Sequence, residues 1–171
     1  MSAPPVIDGL EFARSGQEVR GSVAVRDLGR LEDLLHDASG SLEYEVKGTR
    51  DARNRPQLAL KVAGRVHLQC QRCLGLLDYS VDVANTLLLV SRGAQADEVM
   101  IDPEAPDAIE ADPHLDVGGL IEDEVLLSLP LAPRHPEGVC ASRLEEHDRR
   151  DSNSAFAELA SLRTGTNVKE Q

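Results

Sequence analysis

The chain has 171 residues, a length that suits one domain, and 41% of them are apolar, which is enough to build a core. Aromatic residues make up only 2% and tryptophan is absent, which argues against a nucleic-acid surface built on stacked rings. No apolar run approaches the roughly 20 residues of a membrane helix, and the N-terminus lacks the basic and apolar regions of a secretion signal. We therefore expect a cytoplasmic protein without a membrane partner, whose thiols stay reduced.

The first half of the chain mostly shows the alternation of a sheet. Residues 1–16 are expected to form a flexible lead-in, and residues 27–38 a helix, because leucines recur there at helical intervals before Gly40. Apolar and polar residues alternate in four predicted strands, at residues 17–25, 42–47, 57–69 and 76–90. Their short connections predict antiparallel pairing. The fold class is therefore α+β, an antiparallel β-sheet packed with a few helices in one domain at residues 17–140.

The second half is acidic and more irregular. Residues 93–114 hold seven acids and no Lys or Arg, which indicates an exposed acidic connection. A helix is predicted over 115–128, with Asp116 as its N-cap. Residues 141–171 are expected to be a charged, partly disordered tail with a short helix near 154–163.

The formal charge of −12 is unevenly distributed along the chain. Residues 1–95 hold equal numbers of basic and acidic side chains, so residues 96–171 carry the whole excess. Within the neutral part, residues 47–73 contain one acid, Asp51, and seven bases. The seven bases are Lys47, Arg50, Arg53, Arg55, Lys61, Arg65 and Arg72. They either form a patch for an anionic partner or are ordinary solvated charges on strands and loops.

Two of the three cysteines, Cys70 and Cys73, form a C-x-x-C motif at the junction of two predicted strands. The two-residue gap lets both thiolates of one turn point at a single ion. Cys140 is the third cysteine, and His135 lies five positions before it. Three thiols and one imidazole suit tetrahedral zinc, and a shell filled by four protein ligands is structural rather than catalytic. These four residues are therefore candidate ligands of a structural zinc ion.

Alternatives stay open for this site. His67 is a rival ligand, although three positions before Cys70 on a strand it should face the opposite side of the sheet. A thiol redox protein would use Cys70 and Cys73, but its C-x-x-C stands at the start of a helix, where the dipole lowers a thiol pKa. The thiols could also be inert apolar residues.

The acidic run Glu122–Glu124 is the other cluster of chemical interest. Successive helix residues point about 100° apart, so these carboxylates cannot converge on one substrate. We expect Glu124 to turn inward and pair with a strand arginine. No Ser-His-Asp order, glycine-rich phosphate loop or H-E-x-x-H motif is present, so neither enzymatic activity nor a small-molecule substrate is expected.

Three stretches of the chain have a distinctive pattern. LQCQRC at 68–73 holds the C-x-x-C motif, residues 115–140 combine an acidic helix, a Leu-Pro exit and a closing His-x4-Cys, and FAELASL at 156–162 has the form Phe-Ala-x-Leu-x-x-Leu. These stretches, in this order, resemble the motifs of the YceD family, the large ribosomal RNA subunit accumulation proteins of bacteria and plastids.

The resemblance implies a role in the synthesis, processing or stability of 23S ribosomal RNA, and it implies no known enzymatic activity. We therefore expect a ribosome-biogenesis factor whose partners are ribosomal RNA or ribosome-assembly proteins, with the seven bases of residues 47–73 as candidate RNA contacts. Two other classes stay open. One is an interaction module that docks a protein through the acidic helix or the C-terminal tail without RNA contact, and the other is a thiol redox protein using Cys70 and Cys73.

Overall fold

The computed structural model describes residues 4–91 and 106–140. The chain divides into two compact units, residues 1–134 and 135–171, and the described part of the second unit is a turn at 135–140. The strands are β1 (Val6–Ile7), β2 (Glu18–Ala24), β3 (Leu35–Asp37), β4 (Ser41–Arg50), β5 (Pro56–Gln69), β6 (Leu76–Val90), β7 (Asp107–Glu110) and β8 (Leu115–Asp116). The α-helices are α1 (Gly9–Ser15) and α2 (Val117–Ser128), and two 3₁₀ helices span Val25–Asp27 and Gly29–Leu34. The predicted α+β class is confirmed.

One sheet dominates the first unit. Its strand order is β2-β4-β5-β6-β7, and β3 also pairs with β5. All of these pairs are antiparallel except β6–β7, which is parallel. β1 and β8 form a separate two-stranded sheet. The four predicted strands are confirmed as β2, β4, β5 and β6, because period-two alternation is a strong signal in strands of this length.

The alternation gives the large sheet one apolar and one polar face. In β4, Leu42 and Val46 are fully buried whereas Glu43 and Lys47 are exposed. The helices cover the apolar face, where their buried residues join those of the strands in one cluster. Phe12, Leu31, Val117, Ile121 and Val125 are among these helical core residues. The opposite face is charged and open to solvent.

Helix α1 lies within the predicted flexible lead-in at residues 1–16. It begins at Gly9 after Asp8, whose carboxylate accepts a hydrogen bond from the Glu11 N–H (2.9 Å). It buries Phe12 and ends at Gly16, whose φ of 65° is left-handed. A capped helix with a buried aromatic residue therefore lies within the segment predicted as a flexible lead-in.

The helix predicted at 27–38 is shorter and of a different type. The segment forms two short 3₁₀ helices followed by β3, which pairs with β5. Leu28 and Leu31 are buried and lie three positions apart, a spacing that a 3₁₀ helix with three residues per turn satisfies as well as an α-helix does. Gly29 between them disfavours the longer helix.

Helix α2 confirms the prediction for residues 115–128 with a later start. Asp116 is its N-cap and accepts a hydrogen bond from the Gly118 N–H (2.9 Å), while Leu115 and Asp116 themselves form β8. The acidic connection predicted at 93–114 contains the unpredicted strand β7. Neither α-helix in the described ranges has the length and apolar character needed to span a bilayer.

The predicted tail at 141–171, with its helix near 154–163, lies outside the described residues. The boundary between the two units falls shortly before residue 140, the predicted end of the domain. The domain limits themselves stay a prediction.

Candidate metal centre and basic surface

Cys70 and Cys73 lie in the tight turn that joins β5 to β6. The Cys70 N–H donates to the Gly75 carbonyl (2.9 Å), and the Leu74 N–H donates to the Cys70 carbonyl (2.8 Å). Cys70 continues the buried face of β5, whereas Cys73 is half-buried. The backbone bonds therefore hold both thiols at one end of the β5–β6 hairpin.

The residue after the second cysteine is held in an unfavourable conformation. Leu74 has a φ of 57°, and the left-handed region costs a residue with a Cβ about 1–2 kcal/mol. Its side chain is 54% exposed, so burial does little to offset that cost. Backbone strain of this kind is concentrated at ligand-binding turns.

The chain beyond α2 returns to the cysteine turn. The Tyr79 hydroxyl of β6 donates to the Ser128 carbonyl at the end of α2 (3.1 Å). Further along the chain, the carbonyl of the buried residue Pro133 accepts a hydrogen bond from the Gln71 N–H (2.8 Å). The Pro-rich stretch after α2 is thus hydrogen-bonded to the middle of the C-x-x-C motif.

His135 and Cys140 are brought together by their own local turn. Gly138 takes the left-handed conformation (φ 81°), and the Val139 N–H donates to the Pro136 carbonyl (3.2 Å). As a result, Cys140 Sγ lies 3.7 Å from His135 Nδ1. Tetrahedral zinc, with Zn–S of about 2.3 Å and Zn–N of about 2.0 Å, requires a separation of about 3.5 Å between such atoms.

Cys70 and Cys73 at the cysteine turn, with His135 and Cys140 of the second unit, make up a Cys/His group that could hold a metal ion. Cys70 is buried and the other three residues are half-buried. Three thiols and an imidazole are a donor set whose softness suits zinc. A fourth protein ligand leaves no open coordination position for a substrate.

His67, the rival ligand, is engaged elsewhere. It lies on the polar face of β5, where its Nδ1 is 2.9 Å from Asp37 Oδ2 and its Nε2 is 3.3 Å from Asp78 Oδ1. The Ser39 hydroxyl and amide, and then His67, hold the pKa of the Asp37 carboxyl well below its usual range. The parity argument is confirmed, since Cys70 is on the buried face.

One known protein family matches most of the described sheet and α2. Its model, described as "Large ribosomal RNA subunit accumulation protein YceD", covers residues 58–163, more than half of the chain. The chain belongs to the YceD family. It is similar to the Large ribosomal RNA subunit accumulation protein YceD of Haemophilus influenzae, with 28% identity over 173 aligned positions that cover 94% of this chain and 95% of the relative. No solved structure matches.

Membership of the YceD family confirms the resemblance drawn from the three motifs, and the matched range includes all four candidate ligands. The geometry argues against the redox alternative. The YceD-family C-x-x-C lies in a β-turn region between two strands, and no helix begins at it to lower a thiol pKa through its dipole.

The seven bases of residues 47–73 do not form one patch. Arg50, Arg53 and Arg55 lie in or beside the loop 51–55 between β4 and β5, whereas Arg72 lies in the cysteine turn. These two places are at opposite ends of the 14-residue strand β5, which spans roughly 40 Å at about 3.3 Å per residue.

The remaining three bases lie on the polar face of the sheet among acids. Lys61 Nζ is 4.0 Å from Glu45 Oε1, and Lys47 stands opposite Glu18 in the β2–β4 register. Arg65 stands opposite Ser80 of β6. The charge of this face is therefore mixed, which a count along residues 47–73 does not reveal.

The acidic run of α2 bonds inside the fold. Glu122 is buried, and its Oε1 accepts a hydrogen bond from the Arg30 N–H (2.6 Å), while Asp123 pairs with the Arg30 side chain. Glu124 is buried and its Oε2 accepts from the Asn85 side-chain amide (3.0 Å). Glu124 turns inward as expected, but its partner is an asparagine rather than an arginine.

Proposed function

We propose that this protein is a non-enzymatic factor of ribosome biogenesis that supports the synthesis, processing or stability of 23S ribosomal RNA. The observation that carries the proposal is the YceD family match, because the family is described by the accumulation of the large ribosomal RNA subunit. The similar protein of Haemophilus influenzae has the same description, and its similarity covers nearly the whole chain. Ribosomal RNA or ribosome-assembly proteins are the partners that follow.

The second part of the proposal is one structural zinc ion held by the thiolates of Cys70, Cys73 and Cys140 and by Nδ1 of His135. The Cys/His group of four donors supports it. When bound, zinc supplies free energy of folding rather than an activated water. The chain's own contribution is to fix the ligands, through the Cys70–Gly75 and Gln71–Pro133 backbone bonds.

Among the seven bases named above, Arg50 and Arg53 at the loop 51–55 are the candidate RNA contacts, and their contacts with phosphate would make binding fall with salt. Docking of a protein partner through the acidic helix has less support. Glu122 and Glu124 are buried and bond to Arg30 and Asn85, so Asp123, which pairs with the Arg30 side chain, is the one exposed acid of this run.

Metal content tests the zinc centre. The native full-length protein should contain one zinc per chain, and both Cys70→Ser and Cys140→Ser should lose most of it. His67→Ala is the matched control, because it removes an imidazole close to the cysteine turn that faces the other side of the sheet, and it should keep the metal. Stoichiometric zinc in the Cys140→Ser protein would remove Cys140 from the site.

A cellular experiment tests the ribosomal role separately. Deletion of the gene in its own host should lower the 23S ribosomal RNA level relative to 16S, and the wild-type chain should restore it. Unchanged 23S levels after deletion would contradict the proposed role, whatever the metal content of the protein.

A further inference from the structure

We propose that double-helical RNA binds one end of the large sheet, through Arg14, Arg50 and Arg53. These three residues are called the basic end below. The inference rests on the proposed function and deepens it, because it names the contact surface and the kind of RNA. It also adds Arg14, which lies outside the basic stretch of the sequence.

Arg14 reaches the end of β4 because α1 lies directly on that strand. A Cβ at Gly48 would stand 2.2 Å from the Phe12 carbonyl oxygen, so only glycine allows this approach. Two residues further along β4, the Arg50 side chain donates through Nη2 to the Arg14 carbonyl (3.2 Å). The C-terminal turn of α1 and the end of β4 are thereby fixed beside each other.

The loop 51–55 presents Arg53, whose side chain has no acidic partner among the described ion pairs. Asp51 Oδ1 accepts hydrogen bonds from the Arg53 N–H (2.9 Å) and the Arg55 N–H (2.8 Å), and its Oδ2 accepts from Arg55 Nε (2.6 Å). The Asp51 side chain is only 15% exposed. The Asp51 carboxylate is therefore bonded to the loop backbone and to the Arg55 side chain, and the exposed Arg53 side chain lies at the tip of the loop.

The basic end is little compensated by acids. In the described part of the chain, no ion pair involves Arg14, Arg50 or Arg53, and all three are exposed. Glu11, one turn earlier on α1, is the nearest acid in that helix. The guanidinium groups of Arg14 and Arg53 provide bidentate donors for phosphate oxygens. Arg50 adds positive charge beside them, while its Nη1 donates to Asn54 Oδ1 (2.9 Å) and its Nη2 to the Arg14 carbonyl.

The aromatic residues decide between helical and single-stranded RNA. Unpaired bases are generally recognised by stacking on exposed rings, whereas RNA helices are recognised through phosphates, 2′-hydroxyls and shape. Phe12 and Tyr44 are buried, and Tyr79 is half-buried with its hydroxyl bonded to Ser128. No Phe or Tyr ring in the described residues is therefore free to stack on a base.

Salt-dependent binding tests the proposal. The full-length protein is titrated by fluorescence anisotropy against a labelled RNA duplex and a single strand of equal length. Three phosphate contacts predict that duplex affinity falls about 40-fold between about 50 and 200 mM salt. In Arg14→Ala/Arg53→Ala, one contact remains and the loss over the same range should shrink to about 3.5-fold.

Lys61→Ala/Arg65→Ala is the matched control. It removes the same net charge from the middle of β5, where Lys61 is near Glu45, and should leave the salt dependence of wild type. Thermal unfolding of both variants verifies that they fold. Equal salt dependence in the two variants, tighter binding of the single strand, or absence of duplex binding by the wild type would each overturn the inference. Selective binding to anionic lipid vesicles instead of RNA would also overturn it. The proposed function is tested separately, because a normal level of 23S ribosomal RNA in cells that lack the protein would contradict it.

Discussion

The close seat of α1 on β4 makes Gly48→Ala a sharp test of the fold. An alanine Cβ would stand 2.2 Å from the Phe12 carbonyl oxygen and 2.8 Å from the Ala13 Cα. Both neighbours are helix backbone and cannot rotate away as a side chain could. Since ordinary contact begins near 3.4 Å, α1 must move away from the sheet by roughly 1 Å.

The cost follows from two opposing effects. Overpacking of this kind costs about 1–3 kcal/mol, whereas replacing glycine recovers about 0.4–1 kcal/mol by restricting the unfolded chain. The net destabilisation is therefore about 1–2 kcal/mol. For a chain of this size, each kcal/mol lowers the Tm by about 2–4 °C, so the Tm should fall by about 2–8 °C.

Differential scanning calorimetry of zinc-loaded proteins measures the effect. Gly29→Ala is the matched control, because no atom lies within 4 Å of its Cβ position and its φ is not left-handed. It should be as stable as the wild type or slightly more stable. If Gly48→Ala matches Gly29→Ala in Tm, the close contact of α1 with β4 is refuted.

Three further predictions concern single contacts. Glu124→Ala leaves the Asn85 amide without its partner and should lower the free energy of unfolding by about 1–3 kcal/mol in urea titrations, whereas Glu124→Gln should cost less; equal costs would contradict the buried hydrogen bond. The folded-state pKa of Asp37 is lowered, mainly by Ser39, so the stability it contributes is present at neutral pH and is lost as the pH falls below the usual carboxyl pKa of about 4. Asp37→Asn should therefore flatten the acid side of the profile of Tm against pH, and an unchanged profile would refute this. Leu74→Gly removes the left-handed strain and should bind zinc at least as tightly as the wild type in chelator competition, while the β-branched Leu74→Val should bind more weakly; the reverse order would contradict the turn geometry.

The long strands were predictable because alternation over ten or more residues has one physical solution, a sheet with one buried face. The short elements were not. The i, i+3 spacing of Leu28 and Leu31 fits two helix types, and the four-residue strand β7 sits in a segment whose acidity suggested a loop. For α1, the signal was present, since Asp8 precedes Glu11 at the spacing of a helix N-cap motif.

The candidate metal ligands and the basic surface show different limits of sequence reasoning. The candidate ligands were proposed from residue chemistry alone, because three thiols and an imidazole suit one ion wherever the chain places them. The bases that lie close together in the sequence of residues 47–73 do not lie close together in the fold, because strand β5 separates the loop 51–55 from the cysteine turn. Arg14 lies 36 positions from Arg50, and only tertiary packing brings them together.

X-ray absorption spectroscopy of the zinc-loaded full-length protein tests the four-ligand centre most directly. The geometry predicts three sulfur atoms at about 2.3 Å and one nitrogen at about 2.0 Å from the metal. A shell of two sulfurs completed by oxygen atoms, or a protein that takes up no zinc, would contradict it.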